Sequence, residues 1–84
     1  MICMAYLSEQ EKRELNRRID INWRLAEGQL VELERVVREI GKSVRSRLHP
    51  KTALAHYPRL REATDNLERM LIEIEDLIHE LRGY

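Results

Sequence analysis

The chain has 84 residues, with 15 basic and 15 acidic side chains, so its formal net charge is zero. That balance argues against the basic surface typical of nucleic-acid-binding domains, and a hydrophobic content of 43% excludes a disordered chain. The single cysteine, Cys3, excludes an internal disulfide, and no apolar run is long enough to cross a membrane. We therefore expect one soluble, cytoplasmic domain with no membrane partner.

Residues 1–7 form a short apolar leader ahead of the first helix signal. That signal is a capping box, in which Ser8 and Glu11 accept hydrogen bonds from each other's backbone amides. It predicts that helix 1 spans about residues 8–46. Apolar residues then alternate in steps of three and four, the heptad spacing of coiled coils and helical bundles. They are Ile19, Trp23, Ala26, Leu30, Leu33, Val37, Ile40 and Val44. Three more apolar residues broaden this face: Leu15, Val31 and Val36.

Residues 47–56 connect the two predicted helices. We expect Pro50 to stop helix 1, because the residue before a proline avoids the helical backbone region. Thr52 is expected to cap a short helical turn. Pro58 is compatible with the first turn of a helix, which favours a helix 2 that begins near residue 57 after a short helical turn. The alternative is a helix that begins near Thr52 and breaks locally at Pro58.

Helix 2, predicted at residues 57–82, has the most regular apolar pattern of the chain. Its main stripe contains Tyr57, Leu60, Thr64, Leu67, Leu71, Ile74, Ile78 and Leu81. A side column widens the stripe: Ala63, Met70 and Leu77. Gly83 follows at the position that usually ends a helix. A stripe of this width needs more than one neighbouring helix.

Together the two helices predict an all-α fold, an antiparallel two-helix hairpin that homodimerises into a four-helix bundle. A hairpin of this size buries too little apolar surface to be secure alone. Folding the helices onto each other places Val44 opposite Tyr57 and Leu30 opposite Leu71. The candidate dimer interface consists of Leu15, Trp23, Ala63, Met70 and Leu77.

Charge is distributed unevenly along the chain. Residues 42–61 contain six cations and no acid, whereas residues 62–84 contain seven acids and two arginines. The six cations form what we call the basic tip: Lys42, Arg45, Arg47, Lys51, Arg59 and Arg61. An antiparallel dimer would place each basic tip near the partner's acidic end. Two alternatives remain open for these cations, a phosphate or nucleic-acid site and a plain solvated turn.

No catalytic or metal-binding motif passes a geometric test. Asp76 and His79 have the spacing of a carboxylate–histidine metal pair, but apolar residues hold the inward positions of that helix, so both face water. Ser43 and Ser46 have no base at a fixed spacing to activate them. We therefore predict no catalytic residue, no cofactor and no metal site.

Part of helix 1 resembles a known enzyme family. Ile19 and Asp20, with the sequence Val-Val-Arg-Glu-Ile-Gly-Lys at residues 36–42, are similar to the first helix of the all-helical chorismate mutases. That likeness implies an enzyme that binds a dicarboxylate substrate through cations of this helix. The positions that would carry those cations are Asn16, Leu33 and Val44, and none of them is charged.

A second segment of helix 1 resembles a family of regulators. The sequence Arg-Leu-Ala-Glu-Gly-Gln at residues 24–29 is similar to the opening helix of copper-sensing repressors of the CsoR type. The likeness implies copper ligands in the next helix, where this chain lacks the required cysteine and histidine.

The function predicted from these features is that of a non-enzymatic helical assembly or adaptor module. It would bind a second copy of itself or another, unidentified protein. The alternative is a small nucleic-acid-associated regulator that uses the basic tip. A degenerate helical enzyme of the chorismate mutase type is the least favoured hypothesis.

Overall fold

The computed structural model describes residues 7–83, so the predicted leader, apart from Leu7, lies outside the described residues. The described chain contains three helices and no strand. Helix α1 spans Glu9–Arg45, α2 spans Pro50–Leu54 and α3 spans Tyr57–Arg82. Since α2 and α3 form one bent second helix, the molecule is an all-α hairpin, as the sequence predicts.

Helix α1 begins at the predicted capping box. The Ser8 amide donates to Glu11 Oε1 over 2.8 Å, and the Glu11 amide donates to Ser8 Oγ over 3.0 Å. These bonds satisfy two amides at the helix start, one of them among those that a helix leaves without an internal partner. The bond from the Ser8 amide, followed by the Ser8 side chain, also lowers the pKa of Glu11. From this start α1 continues for 37 residues, a length of about 55 Å.

Helix α1 ends in a turn that contains a left-handed residue. Arg47, just beyond the helix cap, has a φ of 52°. Its amide donates to the Val44 carbonyl over 3.1 Å, and the Leu48 amide donates to the Ser43 carbonyl over 3.1 Å. This is a Schellman turn, in which glycine usually occupies the left-handed position, so an arginine here costs about 1 kcal/mol. The chain therefore turns before Pro50, which was predicted to be the stop.

Pro50 instead opens α2. The His49 Nδ1 atom accepts a hydrogen bond from the Lys51 amide over 3.1 Å. His49 is therefore the N-cap of the short helix, and the prediction of Thr52 in that role is wrong. Proline suits the first helical position because the amide it lacks would have no partner there.

Helix α3 begins at Tyr57 and keeps Pro58 in its first turn, where proline is tolerated. Ala55 and His56 separate it from α2 and produce the bend. It ends at Gly83, whose φ of 80° is readily adopted only by a residue without a Cβ. Both ends of α3 agree with the sequence pattern.

Helices α1 and α3 lie side by side and antiparallel, in a layer one helix thick. The Cα atoms extend over 62 × 20 × 14 Å. The interior is therefore a single strip between the two helices. Its buried apolar side chains are Leu15, Ala26, Val36, Ala63, Ile74 and Leu77.

The strip contains only one of the two columns predicted for α1. That column is covered or half-covered and contains Ile19, Ala26, Leu33 and Ile40. The second inward column lies one residue earlier than predicted and contains Leu15, Asn22, Gln29, Val36 and Ser43. Val36, predicted only to broaden the face, is 0% exposed. The column predicted in its place is 43% to 63% exposed: Trp23, Leu30, Val37 and Val44.

Helix α3 shows the same exchange of columns. The side column, which was predicted to face a second copy, faces α1 instead: Ala63, Met70 and Leu77. Three residues of the predicted main stripe turn away from the interior, Tyr57, Thr64 and Leu71, while Ile78 of the same column is half-covered. The physical reason is that α3 carries three apolar columns, while one neighbouring helix covers only two.

The register between the helices also differs from the prediction. Arg18 Nη2 lies 3.4 Å from the Glu73 carboxylate, and Arg59 Nη2 lies 3.1 Å from the Glu32 carboxylate. The predicted register would have placed Arg69 opposite Glu32. The displacement is between two and three helical turns. It arises because α2 packs against the end of α1 and takes the place expected for the first turns of the long second helix.

A matched pair of valines tests the position of the core. Val36→Asp would bury a carboxylate without a partner, and we expect the free energy of unfolding to fall by about 3 to 5 kcal/mol. Val31 lies on the same helix and is 64% exposed, so Val31→Asp should change it by less than about 0.5 kcal/mol. Valine and aspartate have similar helix propensities, so intrinsic propensity cancels in this comparison. Urea unfolding followed by circular dichroism measures the free energy of unfolding of both variants. Equal values would show that Val36 does not lie in the buried strip.

Candidate interaction surface

One broad face of the hairpin, here called the back face, carries ion pairs between the two helices. Two ion pairs cross from one helix to the other on this face, Arg18–Glu73 and Glu32–Arg59. Glu32 also accepts a hydrogen bond from Arg35 on its own helix. The side chains are partly exposed, and exposed pairs add little stability. Their main effect is on register, since a shift of one turn would separate both pairs.

The pKa of Glu32 reports on this arrangement. It is lowered first by the hydrogen bond from Arg35, then by the hydrogen bond from Arg59. A carboxyl whose pKa is lower in the folded chain than in the unfolded one stabilises the fold fully above the unfolded pKa. That stabilisation is lost as the pH falls through the lowered value. Acidification should therefore release the cross-helix contact.

The opposite broad face is largely apolar, and we call it the open face. It consists of two columns of mostly exposed residues: Trp23, Leu30, Val37 and Val44 of α1, with Tyr57, Thr64, Leu71 and the half-covered Ile78 of α3. A shallow groove of about 240 Å³ runs between the helices on this face. Its lining residues are Trp23, Ala26, Glu27, Leu30, Leu67 and Leu71. The open face is thus a heptad-spaced apolar surface on both helices of one hairpin.

Acidic side chains border the open face over its middle and far half. Glu27 lines the groove, while Glu68 and Glu75 line a second depression beside Leu71. Among residues 7–83, none of these three carboxylates has an ion-pair partner. Arg61, seven residues before Glu68 and therefore on the same side of α3, borders the face near its middle, because the neighbouring Arg59 pairs with Glu32. The rim is thus acidic in its far half and carries a cation near its middle.

The five residues predicted for the dimer interface lie in different places. Leu15, Ala63 and Leu77 are 2% to 4% exposed and belong to the strip between the chain's own helices. Met70 is half-buried on the back face. Trp23, which is 47% exposed, is the one member of this set that lies on the open face.

Two of the six tip cations are engaged within the hairpin. Arg59 contacts Glu32 across the helices, and Lys42 Nζ lies 3.4 Å from the Glu39 carboxylate. These two contacts neutralise part of the charge of the basic tip.

The other four tip cations are Arg45, Arg47, Lys51 and Arg61. Within the described part of the chain none of them has an ion-pair partner. The Arg45 guanidinium folds back towards Gly41, where an added Cβ would lie 3.1 Å from it. Arg47 is the residue of the turn that has a left-handed backbone conformation. The tip thus presents a group of unpaired cations next to the exposed Val44, Leu48 and Leu54.

Within residues 7–83, no group of three or more histidine, cysteine, aspartate or glutamate side chains is arranged to hold a metal ion. No helix in this part of the chain is long and apolar enough to span a membrane. Among known proteins, no family model, no curated protein and no solved structure matches the chain. Its function is therefore inferred from the physical features of the two faces.

Sequence reasoning missed that Leu30, Leu71 and their neighbours lie outside the core. The inward column of α1 contains Asn22, Gln29 and Ser43 and so looks like surface in the sequence. Asn22 donates to the Arg18 carbonyl over 3.0 Å and Ser43 donates to the Glu39 carbonyl over 3.3 Å, so local bonds satisfy both side chains. The signal that could have identified the open face is the width of both stripes, which exceeds what two helices can bury.

The pKa of Glu32 gives a test of the back face. In Arg59→Gln we expect this pKa to rise, because one of its two hydrogen-bond donors is lost. It should stay below the ordinary glutamate value, because Arg35 remains. Carbon-detected NMR titration of the Glu32 carboxyl measures the change, with Arg69→Gln as a control on a different part of α3. An unchanged pKa in Arg59→Gln would mean that the two helices do not meet in this register.

Proposed function

We propose that the protein is a non-enzymatic assembly module that docks its open face on another helical surface. The first candidate for that surface is a second copy of the chain, which would complete a four-helix bundle. The supporting observation is that each helix carries an apolar column that its own hairpin leaves uncovered. Trp23, Leu30 and Leu71 are 43% to 47% exposed, and covering each would contribute about 1 kcal/mol.

The shape of the hairpin also supports this proposal. A layer one helix thick buries a strip along its seam and leaves both broad faces in water. The back face carries the charged side chains of the cross-helix ion pairs, which remain hydrated there. The open face carries aliphatic and aromatic side chains at heptad spacing, the pattern by which helices interlock with further helices. Stacking two open faces would remove both from water in one step.

Adjacent residues on α1 provide a sharp test of the open face. Leu30 points into the groove and Val31, the next residue, points away from it. We expect Leu30→Asp to abolish self-association, because the dimer would have to bury a carboxylate. Val31→Asp adds the same charge one position along and should leave association unchanged. Light scattering during size-exclusion chromatography measures the mass, which is 10.1 kDa for one chain and twice that for a dimer.

Two results would contradict this proposal. One is a native chain that stays monomeric at every concentration and is unaffected by Leu30→Asp in stability and solubility. The other is a dimer that Val31→Asp disrupts as strongly as Leu30→Asp, which would place the contact on a different surface.

A second candidate function is nucleic-acid binding through the basic tip. The observation that favours it is a group of tip cations that have no ion-pair partner among residues 7–83: Arg45, Arg47 and Lys51. If this function is correct, Arg45→Glu with Arg47→Glu should abolish binding to a DNA duplex or an RNA strand, while the helical content stays unchanged. Fluorescence anisotropy at several salt concentrations measures it, because neutralised phosphates give a steep salt dependence. Binding that is absent at low salt in the native chain would eliminate this function.

A further inference from the structure

We propose that the open face is covered by a second copy of this chain in antiparallel orientation, with the basic tip of each copy beside the acidic rim of the other. This inference rests on the proposed assembly function. It adds which molecule covers the open face, in which orientation, and which charged residues determine that orientation. It follows from charge complementarity along the length of one surface.

Tip and far half of the open face differ in charge along the 62 Å length of the hairpin. Among residues 7–83, the tip cations Arg45, Arg47 and Lys51 have no ion-pair partner. On the rim of the open face the same holds for the acids Glu27, Glu68 and Glu75. A parallel dimer would place tip against tip and rim against rim, and like charges would repel in both places. An antiparallel dimer brings opposite charges together at both ends.

Helix geometry indicates which residues would meet. Leu30 lies near the middle of the open face, so a two-fold axis there would exchange the tip of one copy with the far half of the other. Lys51 and Arg45 would then lie near the level of the partner's Glu68 and Glu75. Arg61, two residues after the Arg59 that pairs with Glu32, is level with Leu30 and would lie beside the axis.

The size of the open face fits a self-complementary interface. The layer is 20 Å wide, and the distance from Trp23 to Val44 is about 32 Å at about 1.5 Å per residue. The open face of each copy therefore has a planar area of about 600 Å², and its projecting side chains make the accessible surface larger. This is close to the roughly 800 Å² per partner of a standard stable interface.

A single helix from another protein suits these features less well. A basic amphipathic helix could neutralise Glu27, Glu68 and Glu75. It would meet like charge at the tip, where Arg45, Arg47 and Lys51 lie. A second copy supplies cations and acids in the same molecule and at the required separation. The zero net charge of the chain agrees with a surface that neutralises itself.

Charge reversal tests the pairing. The first variant, Arg45→Glu with Lys51→Glu, should raise the dimer dissociation constant by about tenfold or more. The second, Glu68→Lys with Glu75→Lys, should do the same. An equimolar mixture of the two variants should regain native affinity, because each altered tip meets an altered rim. The control is Arg24→Glu with Arg69→Glu, which makes the same charge change away from the open face and should leave the dissociation constant within about twofold.

Spin labels test the orientation independently of charge. With Cys3→Ser as background, a label on Gln10→Cys marks the far end and a label on Thr52→Cys marks the tip. Both positions are neutral and exposed. In an antiparallel dimer each label lies at least about 30 Å from its own symmetry mate, as the rise per residue requires. A mixture of the two labelled proteins adds a short distance between far end and tip.

Each outcome of the two experiments decides something different. Long distances within each labelled protein, with recovery in the charge-reversed mixture, support the proposal. A stable dimer with short distances at both sites overturns the antiparallel orientation and leaves the assembly function standing. A dimer that is equally tight in both reversed variants overturns the role assigned to charge. A native chain that is monomeric at all concentrations overturns the second copy as occupant, and a basic helix of another protein then takes its place.

Discussion

A pair of helices can bury only the surface between them, and both long helices of this chain have more apolar surface than that. Helix α3 carries three neighbouring apolar columns, and α1 carries two apolar columns beside a mixed one that contains Leu15 and Val36. The seam of a hairpin takes only two columns from each helix. The surface of the hairpin depends on which column of each helix stays outside the seam. In this protein the omitted columns of α1 and α3 lie on the same face, around Leu30 and Leu71. The excess therefore forms one continuous surface, and that surface directs the functional hypothesis.

The choice of inward column follows from more than hydrophobicity. The seam accepts Asn22, Gln29 and Ser43, although a more apolar column was available on the neighbouring stripe. Asn22 and Ser43 bond to carbonyls of their own helix, so their polarity costs little in a half-covered position. The two ion pairs on the back face form in this rotation, although exposed pairs add little stability. An isolated hairpin would bury more apolar surface if α1 were rotated so that Trp23 and Leu30 faced α3. The observed rotation therefore buries the most apolar surface only if an assembly also covers the open face.

Much of the local structure is predictable from sequence, because its determinants are local. The capping box at Ser8, the termination at Gly83 and the start of α3 at Tyr57 each depend on residues within one turn. Rotation and register depend on contacts between residues far apart in the chain, and heptad columns one residue apart are almost equally good by pattern alone. The turn after α1 is the exception among local features. Its left-handed residue is an arginine, so no glycine marked it in the sequence.

The Schellman turn at Arg47 has a consequence for the dynamics of the hairpin. Its hydrogen bonds come from backbone amides, so the fold itself does not require an arginine side chain there. The left-handed backbone at a residue with a Cβ makes the tip a region of low local stability. Local opening should therefore begin at the tip and expose the amides of Arg47 and Leu48 to hydrogen exchange before those of the mid-helix strip. A partner that contacts the Arg47 side chain would slow that exchange. The exchange rates of these tip amides would therefore show whether a partner is bound.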